Sequence, residues 1–199
     1  RSHPESMLPL LHAILSSLLS SSDATLDVST QLTEGGLLLS STMKHFKSAK
    51  VEMRNWAWKT CVVFCRFNTK MATTKIVVEA ICDAFTSLTT SDVRSGGYAA
   101  LDGVGRYLLH LGDNGDDECS ELANKVLSTL VSVLAKDKVV NKTADSALVA
   151  KEVGYNALTT WMQLFRKNGS HAVGSGYDKA LGYLVEPLTK YSPKDGAFK

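Results

Sequence analysis

The chain has 199 residues, of which 44% are hydrophobic and 21% are charged, and its formal net charge is +2. These values are typical of a globular protein in water, and a chain of this length can bury a core without disulfides or metals. No apolar run approaches the roughly 18–20 residues that cross a bilayer, so the sequence predicts no membrane association.

Apolar residues at helical spacing predict helices along the whole chain, and no segment alternates as a β-strand does. The run Thr89-Thr90-Ser91-Asp92 is expected to end one helix and cap the next, and Thr73 or Thr74 to cap the helix before it. Residues 192–196 are expected to fray. The predicted helices cover residues 5–20, 28–46, 51–67, 73–88, 93–111, 118–135, 143–167 and 177–191.

Two tryptophans share the third predicted helix. Trp56 lies on its apolar stripe, whereas Trp58 lies on the other side because residues two apart do not face each other. We therefore expect Trp58 either to pack against another helix or to be a recognition aromatic beside Arg54 and Lys59.

A repeated sequence motif predicts the architecture. Gly97-Tyr98-x-Ala100-Leu101 recurs as Gly154-Tyr155-x-Ala157-Leu158, and each copy follows a helix with the same apolar pattern. Such recurrence is typical of stacked helical pairs. We predict an all-α fold, a right-handed α-solenoid of seven or eight armadillo/HEAT-like helices in one domain over residues 1–199. The glycines at 96, 97, 103 and 105 are expected to permit close helix crossings.

The four cysteines predict no chemistry. Cys61 and Cys65 lie one helical turn apart on an apolar face, and neither they nor Cys82 and Cys119 form a zinc-binding pattern. Free buried cysteines favour a reducing compartment, so we expect a cytoplasmic or nuclear protein. No catalytic motif, cofactor motif or metal-ligand set is present among the histidines and carboxylates, and we predict a non-enzymatic protein.

Positive charge is unevenly distributed. Eight bases and one acid lie between Ser40 and Lys75, whereas residues 113–121 are acidic. One interpretation is a set of solvated helix faces; the other is a surface that attracts an acidic peptide, nucleic acid or a membrane surface. We predict a peptide-binding surface in which bases pair with carboxylates and an aromatic anchors an apolar group. Its candidate residues are Arg54, Trp58, Lys59, Arg66, Arg94, Tyr98 and Arg106.

The segment from Val51 to about Met162 resembles the PUL domain, an armadillo-like domain of ubiquitin-pathway adaptors. The resemblance is carried by residues 91–101, by the paired aliphatic residues of 121–134 and by Ala157-Leu158-Thr159-Thr160. It implies a PUL-like core over about residues 51–167, with helices at 5–46 and 177–191 on either side. It also implies a basic groove that binds the acidic C-terminal tail of a hexameric AAA ATPase handling ubiquitylated proteins. The alternatives are a generic HEAT or armadillo scaffold in a larger protein and, more weakly, a nucleic-acid-binding repeat.

Overall fold

The computed structural model describes residues 3–20, 37–67, 71–111, 117–137, 145–167 and 175–190, and they are almost entirely helical. No β-strand occurs within these ranges, so the all-α prediction is confirmed. A 3-10 turn, Lys44–Lys47, follows the second helix. The helices are α1 Pro4–Ser20, α2 Leu37–Met43, α3 Val51–Phe67, α4 Met71–Ser87, α5 Thr90–Arg94, α6 Gly97–His110, α7 Asp117–Lys136, α8 Asp145–Lys167 and α9 Ser175–Lys190.

Two predicted helix boundaries are wrong. α4 already begins at Met71, and Thr74 is buried inside it, so neither Thr73 nor Thr74 caps this helix. The predicted helix 93–111 is two helices, because Gly96 adopts a φ of 146° and interrupts it between α5 and α6. Residues 28–36 of the predicted helix 28–46, most of the extra stretch that we expect near residues 136–142 of the second copy, and the predicted frayed tail lie outside the described residues.

The predicted cap between α4 and α5 is confirmed. The hydroxyl of Thr89 accepts a hydrogen bond from the backbone N–H of Asp92 at 3.2 Å, and it donates to the Asp92 carboxylate at 2.8 Å. This arrangement satisfies one of the free N–H groups at the start of α5. It also fixes the position of the Asp92 carboxylate.

The corresponding helices of successive pairs lie side by side. α3 contacts α6 and α6 contacts α8, while α4 contacts α7 and α7 contacts α9. α1 packs against α3. The two sequence copies therefore neighbour each other, since α4 and α7 carry the shared apolar pattern and α6 and α8 carry the Gly-Tyr motif. This is the arrangement of stacked helical pairs; the handedness of the stack stays a prediction.

One apolar cluster runs through the stack. It extends from Leu8 in α1 to Ala180 in α9. Near its centre, four aromatic rings follow one another with centroids 6.1–6.3 Å apart, a separation at which tilted and edge-to-face pairs are favourable. These rings belong to Phe46, Trp58, Phe85 and Tyr98.

Glycines permit the close crossings that the sequence predicts. A Cβ atom on Gly97 would lie 2.6 Å from the Phe85 ring, and one on Gly105 would lie 2.8 Å from Cγ2 of Thr160. Where α6 and α8 cross, the indole N–H of Trp161 donates to the backbone carbonyl of Leu101 at 2.9 Å. The lack of a side chain at Gly105 thus brings α8 close enough for a direct hydrogen bond between the helices.

The two copies of the motif are not equivalent in space. Gly97 begins α6, whereas Gly154 lies in the middle of α8, where a Cβ atom would be 3.1 Å from the Tyr98 ring. Tyr98 is fully buried, but Tyr155 is only partly buried and stacks on Tyr183 with ring centroids 6.2 Å apart. The glycine of one copy therefore accommodates the tyrosine of the other.

We expect Gly105→Ala to destabilise the protein by about 1–3 kcal/mol, because the added methyl group overpacks the α6–α8 crossing. Gly182→Ala is the matched control. Gly182 also lies within a helix, but a Cβ atom there meets no atom within 4 Å, so the substitution is expected to stabilise α9 by up to about 1 kcal/mol. Urea unfolding of both variants measures the difference, and equal effects would contradict this account of the crossing.

Candidate functional site

Three of the seven predicted binding residues are buried, so their prediction as binding residues is wrong. Arg54 is 2% exposed, Trp58 is 1% exposed and Tyr98 is fully buried. Arg54 donates hydrogen bonds to the backbone carbonyl of Ser48 and to the carboxylate of Asp92. A peptide on the surface cannot reach these three side chains.

The two tryptophans differ in burial, and the expectation that Trp58 packs against another helix is confirmed. Trp58 packs between Phe46 and Phe85 in the core, so its alternative as a recognition aromatic is wrong. Trp56 is only partly buried, on the face of α3 towards α1. The His12 ring lies edge-on to it with centroids 5.3 Å apart, and the ammonium of Lys59 lies 4.8 Å from the centre of the indole ring.

Arg94 belongs to a buried polar network and not to an open surface. Its Nε lies 3.1 Å from the carboxylate of Asp137, whose side chain is completely buried and also accepts a hydrogen bond from the Tyr98 hydroxyl at 3.2 Å. Lys151 donates to the backbone carbonyl of Asp137. Burial, and next the Asp137 charge, raise the pKa of the Tyr98 phenol, so this hydroxyl stays protonated and can donate. The network joins α5 and α6 to the end of α7 and to α8.

Removing the Asp137 carboxylate is expected to destabilise the protein. Asp137→Ala leaves the largely buried Arg94 guanidinium without a counter-charge, and we expect a loss of about 3 kcal/mol of stability. The control is Lys125→Ala, which breaks a surface pair with Glu79 at 3.2 Å and is expected to change stability by about 0.5 kcal/mol or less. Chemical denaturation measures both, and similar values would mean that the buried pair has no special role.

The other three candidates, Lys59, Arg66 and Arg106, are exposed on neighbouring faces of α3 and α6. Residues 59, 62 and 66 share one face of α3, and residues 99, 103 and 106 share one face of α6, because residues three and four apart are neighbours on a helix. The helices approach closely here, since a Cβ atom on Gly103 would lie 3.2 Å from Val62. We name this surface the basic groove. It consists of Lys59, Val62 and Arg66 of α3 and Ala99, Gly103 and Arg106 of α6.

The charges of the basic groove differ in how far they are neutralised. Arg106 pairs with Asp102 of the same helix at 2.7 Å, and Asp102 also accepts a hydrogen bond from Thr160. Neither Lys59 nor Arg66 forms an ion pair with any carboxylate that the structure describes. The groove therefore presents two uncompensated positive charges on α3.

A pocket of about 340 Å³ lies at one end of the basic groove. Its walls come from α1, α3, the α5–α6 connection and α6. Asn55 lines this pocket, and its buried amide oxygen packs against Gly96 and accepts no hydrogen bond from the residues described. Desolvation, aided by the charge of Lys59, lowers the pKa of His12, so its imidazole is uncharged at neutral pH. The lining residues are His12, Asn55, Lys59, Val62, Val63, Ser95, Gly96, Ala99 and Ala100.

The cysteines lie in the core and pack as small apolar residues. All four are free and buried, as the sequence predicts. Desolvation raises the pKa of Cys61, and it raises the pKa of Cys65 and of Cys82 to about 12. A thiol with such a pKa provides almost no thiolate at neutral pH, and the thiolate is the nucleophilic form.

We therefore expect none of the four cysteines to react with iodoacetamide in the folded protein at neutral pH. All four should react in denaturant, where the thiols regain access to solvent and their ordinary pKa. Intact-mass spectrometry counts the adducts under both conditions. A folded protein that gains an adduct within minutes would identify an accessible, activated thiol.

Sequence reasoning missed Trp56, His12 and Asn55 as surface features. Lys59, Val62 and Arg66 lie on one helical face, and their spacing in the sequence was enough to reveal part of the basic groove. The position of α1, which places His12 beside Trp56, has no local signal in the sequence. Within the described ranges, no group of three or more metal-ligating side chains forms a potential metal site, and no helix is long and apolar enough to cross a membrane.

Comparisons of the chain with known protein families, with curated proteins and with solved structures found no significant match. Functional inference consequently depends on the basic groove and the pocket at its end.

Proposed function

We propose that this protein is a non-enzymatic interaction module whose basic groove binds an acidic segment of a partner protein. The observation that carries the proposal is the exposure of Lys59 and Arg66 on one face of α3 without carboxylate partners among the described residues. Exposed cations with no intramolecular counter-charge favour association with negative charge.

The groove suits an extended peptide. Ala99 and Gly103 are small, so a peptide backbone can approach α6 closely. Lys59 and Arg66 are seven residues apart, which is about 10 Å along a helix. An extended chain advances about 3.3 Å per residue, so the two bases match carboxylates about three residues apart. The guanidinium of Arg66 offers two parallel donors to one carboxylate.

The resemblance to the PUL domain gives this ligand class a biological candidate. We propose an adaptor role in ubiquitin-dependent processing, with the acidic C-terminal tail of a AAA ATPase as the bound segment, in the cytoplasm or the nucleus. Lys59, Arg66 and Arg106 support the proposal, whereas the buried Arg54, Trp58 and Tyr98 contribute to it only by holding α3 and α6 in place.

A second candidate is a generic helical scaffold. Its support is a stripe of exposed apolar side chains on α1, consisting of Met7, Leu10 and Ile14, which are 49–54% exposed. Residues at this spacing share one helix face, and exposed apolar faces are typical of contact surfaces. A scaffold of this type would bind its neighbour through α1 and would show no preference for acidic peptides.

Charge reversal tests the proposed function. Lys59→Glu and Arg66→Glu should each weaken the binding of an acidic peptide by about tenfold, which corresponds to about 1.4 kcal/mol. Lys179→Glu makes the same charge change on α9, which packs mainly against α7 and α8, and should have little effect. Fluorescence anisotropy with the labelled AAA ATPase tail and with a generic acidic peptide measures the affinities, and binding should weaken as salt increases.

Three outcomes would contradict the proposal. They are an affinity independent of salt, equal losses in the groove variants and in the Lys179→Glu control, and tighter binding of duplex DNA or single-stranded RNA than of either peptide at physiological salt. The last outcome would favour the nucleic-acid alternative.

A further inference from the structure

We infer that the acidic segment carries an apolar side chain that inserts into the pocket at the end of the basic groove, with an acidic residue next to it in the sequence. This inference rests on the proposed function and specifies the kind of peptide that the groove selects. It is drawn from two features of the pocket, its walls and the position of Lys59.

The walls of the pocket are mainly apolar. Val62 and Val63 of α3 face Ala99 and Ala100 of α6, and the volume of about 340 Å³ accommodates a leucine-sized or larger side chain. The residues from α6 are small, so the cavity exists because they leave its space unfilled. Moving an apolar side chain from water into such a site is favourable.

Lys59 links the pocket to the basic groove. Lys59 lines the pocket, and its ammonium lies 4.8 Å from the centre of the Trp56 ring, which holds it in position. A cation held over an aromatic face loses less conformational freedom when it binds a carboxylate. The apolar side chain and the first acidic residue must therefore be close together in the peptide, and further acidic residues would extend towards Arg66.

The pocket itself can be blocked without changing any charge. Ala99 is exposed and lines the pocket, so Ala99→Phe fills the cavity from a surface position. Ala135→Phe is the matched control, because Ala135 is an exposed alanine of α7. Circular dichroism and thermal unfolding check that both variants fold.

The test uses two short acidic peptides that differ only at one site, a leucine in one and an alanine in the other. The leucine peptide is expected to bind wild-type protein about tenfold more tightly, since burial of its side chain adds apolar contact. Ala99→Phe should abolish this preference, so that the leucine peptide loses about tenfold more affinity than the alanine peptide, which contacts the groove at Ala99 but leaves the pocket empty. Ala135→Phe should leave both affinities unchanged. This pattern, read as a double-mutant cycle, supports the inference.

Equal binding of the two peptides to wild-type protein, with salt dependence and sensitivity to Lys59→Glu, would overturn the inference and leave the proposed function intact. The inference also fails if Ala99→Phe weakens both peptides equally, because the groove and not the pocket would then be blocked. If neither peptide binds, the proposed function fails and the inference fails with it. Equal binding of a leucine peptide without acidic residues would reject the acidic ligand class.

Discussion

The close approach of α6 to its neighbours is the constraint on which the rest of the structure depends. α6 contacts α3, α4 and α8, and glycines face the two latter helices. Gly97 permits contact with Phe85, and Gly105 permits contact with Trp161, whose indole then reaches the carbonyl of Leu101. A larger side chain at either glycine would separate the helices and remove both the packing and the hydrogen bond. The stack is therefore assembled around the glycine-containing faces of α6.

The small residues of α6 also shape the surface of the protein. Gly103 lies on the outer side of α6 and brings it close to Val62 of α3, while Ala99 and Ala100 leave a pocket beside the groove. Small residues thus have two consequences on one helix. On the sides facing α4 and α8 they make a tight core, and on the side facing solvent they leave space for a ligand. The candidate site is therefore a product of the crossing geometry.

Charge is divided in a similar way between the interior and the surface. Arg54 and Arg94 are largely buried, and carboxylates from other parts of the chain, those of Asp92 and Asp137, lie beside them. An isolated buried guanidinium would be strongly unfavourable, whereas a paired and hydrogen-bonded one is tolerated. Lys59 and Arg66 have no such partner within the described ranges and are directed to solvent. The first group contributes to the architecture, and the second is available for binding.

The sequence by itself determined the all-α class, most helix positions, the cap at Thr89, the buried free cysteines and the presence of glycine crossings. Each follows from local spacing, because a period near 3.6 residues and the capping preference of a hydroxyl act over a few residues. Only the tertiary structure decided that Trp58 is fully buried and Trp56 only partly, that Gly96 ends one helix before the next, and which arginines are internal. These outcomes depend on groups far away in the chain, such as Phe46 and Phe85 around Trp58 or Asp137 beside Arg94, and periodicity within one helix contains no information about them. The echo of the Gly-Tyr motif correctly indicated neighbouring helices, but the different depths of Tyr98 and Tyr155 arose from what packs against each of them.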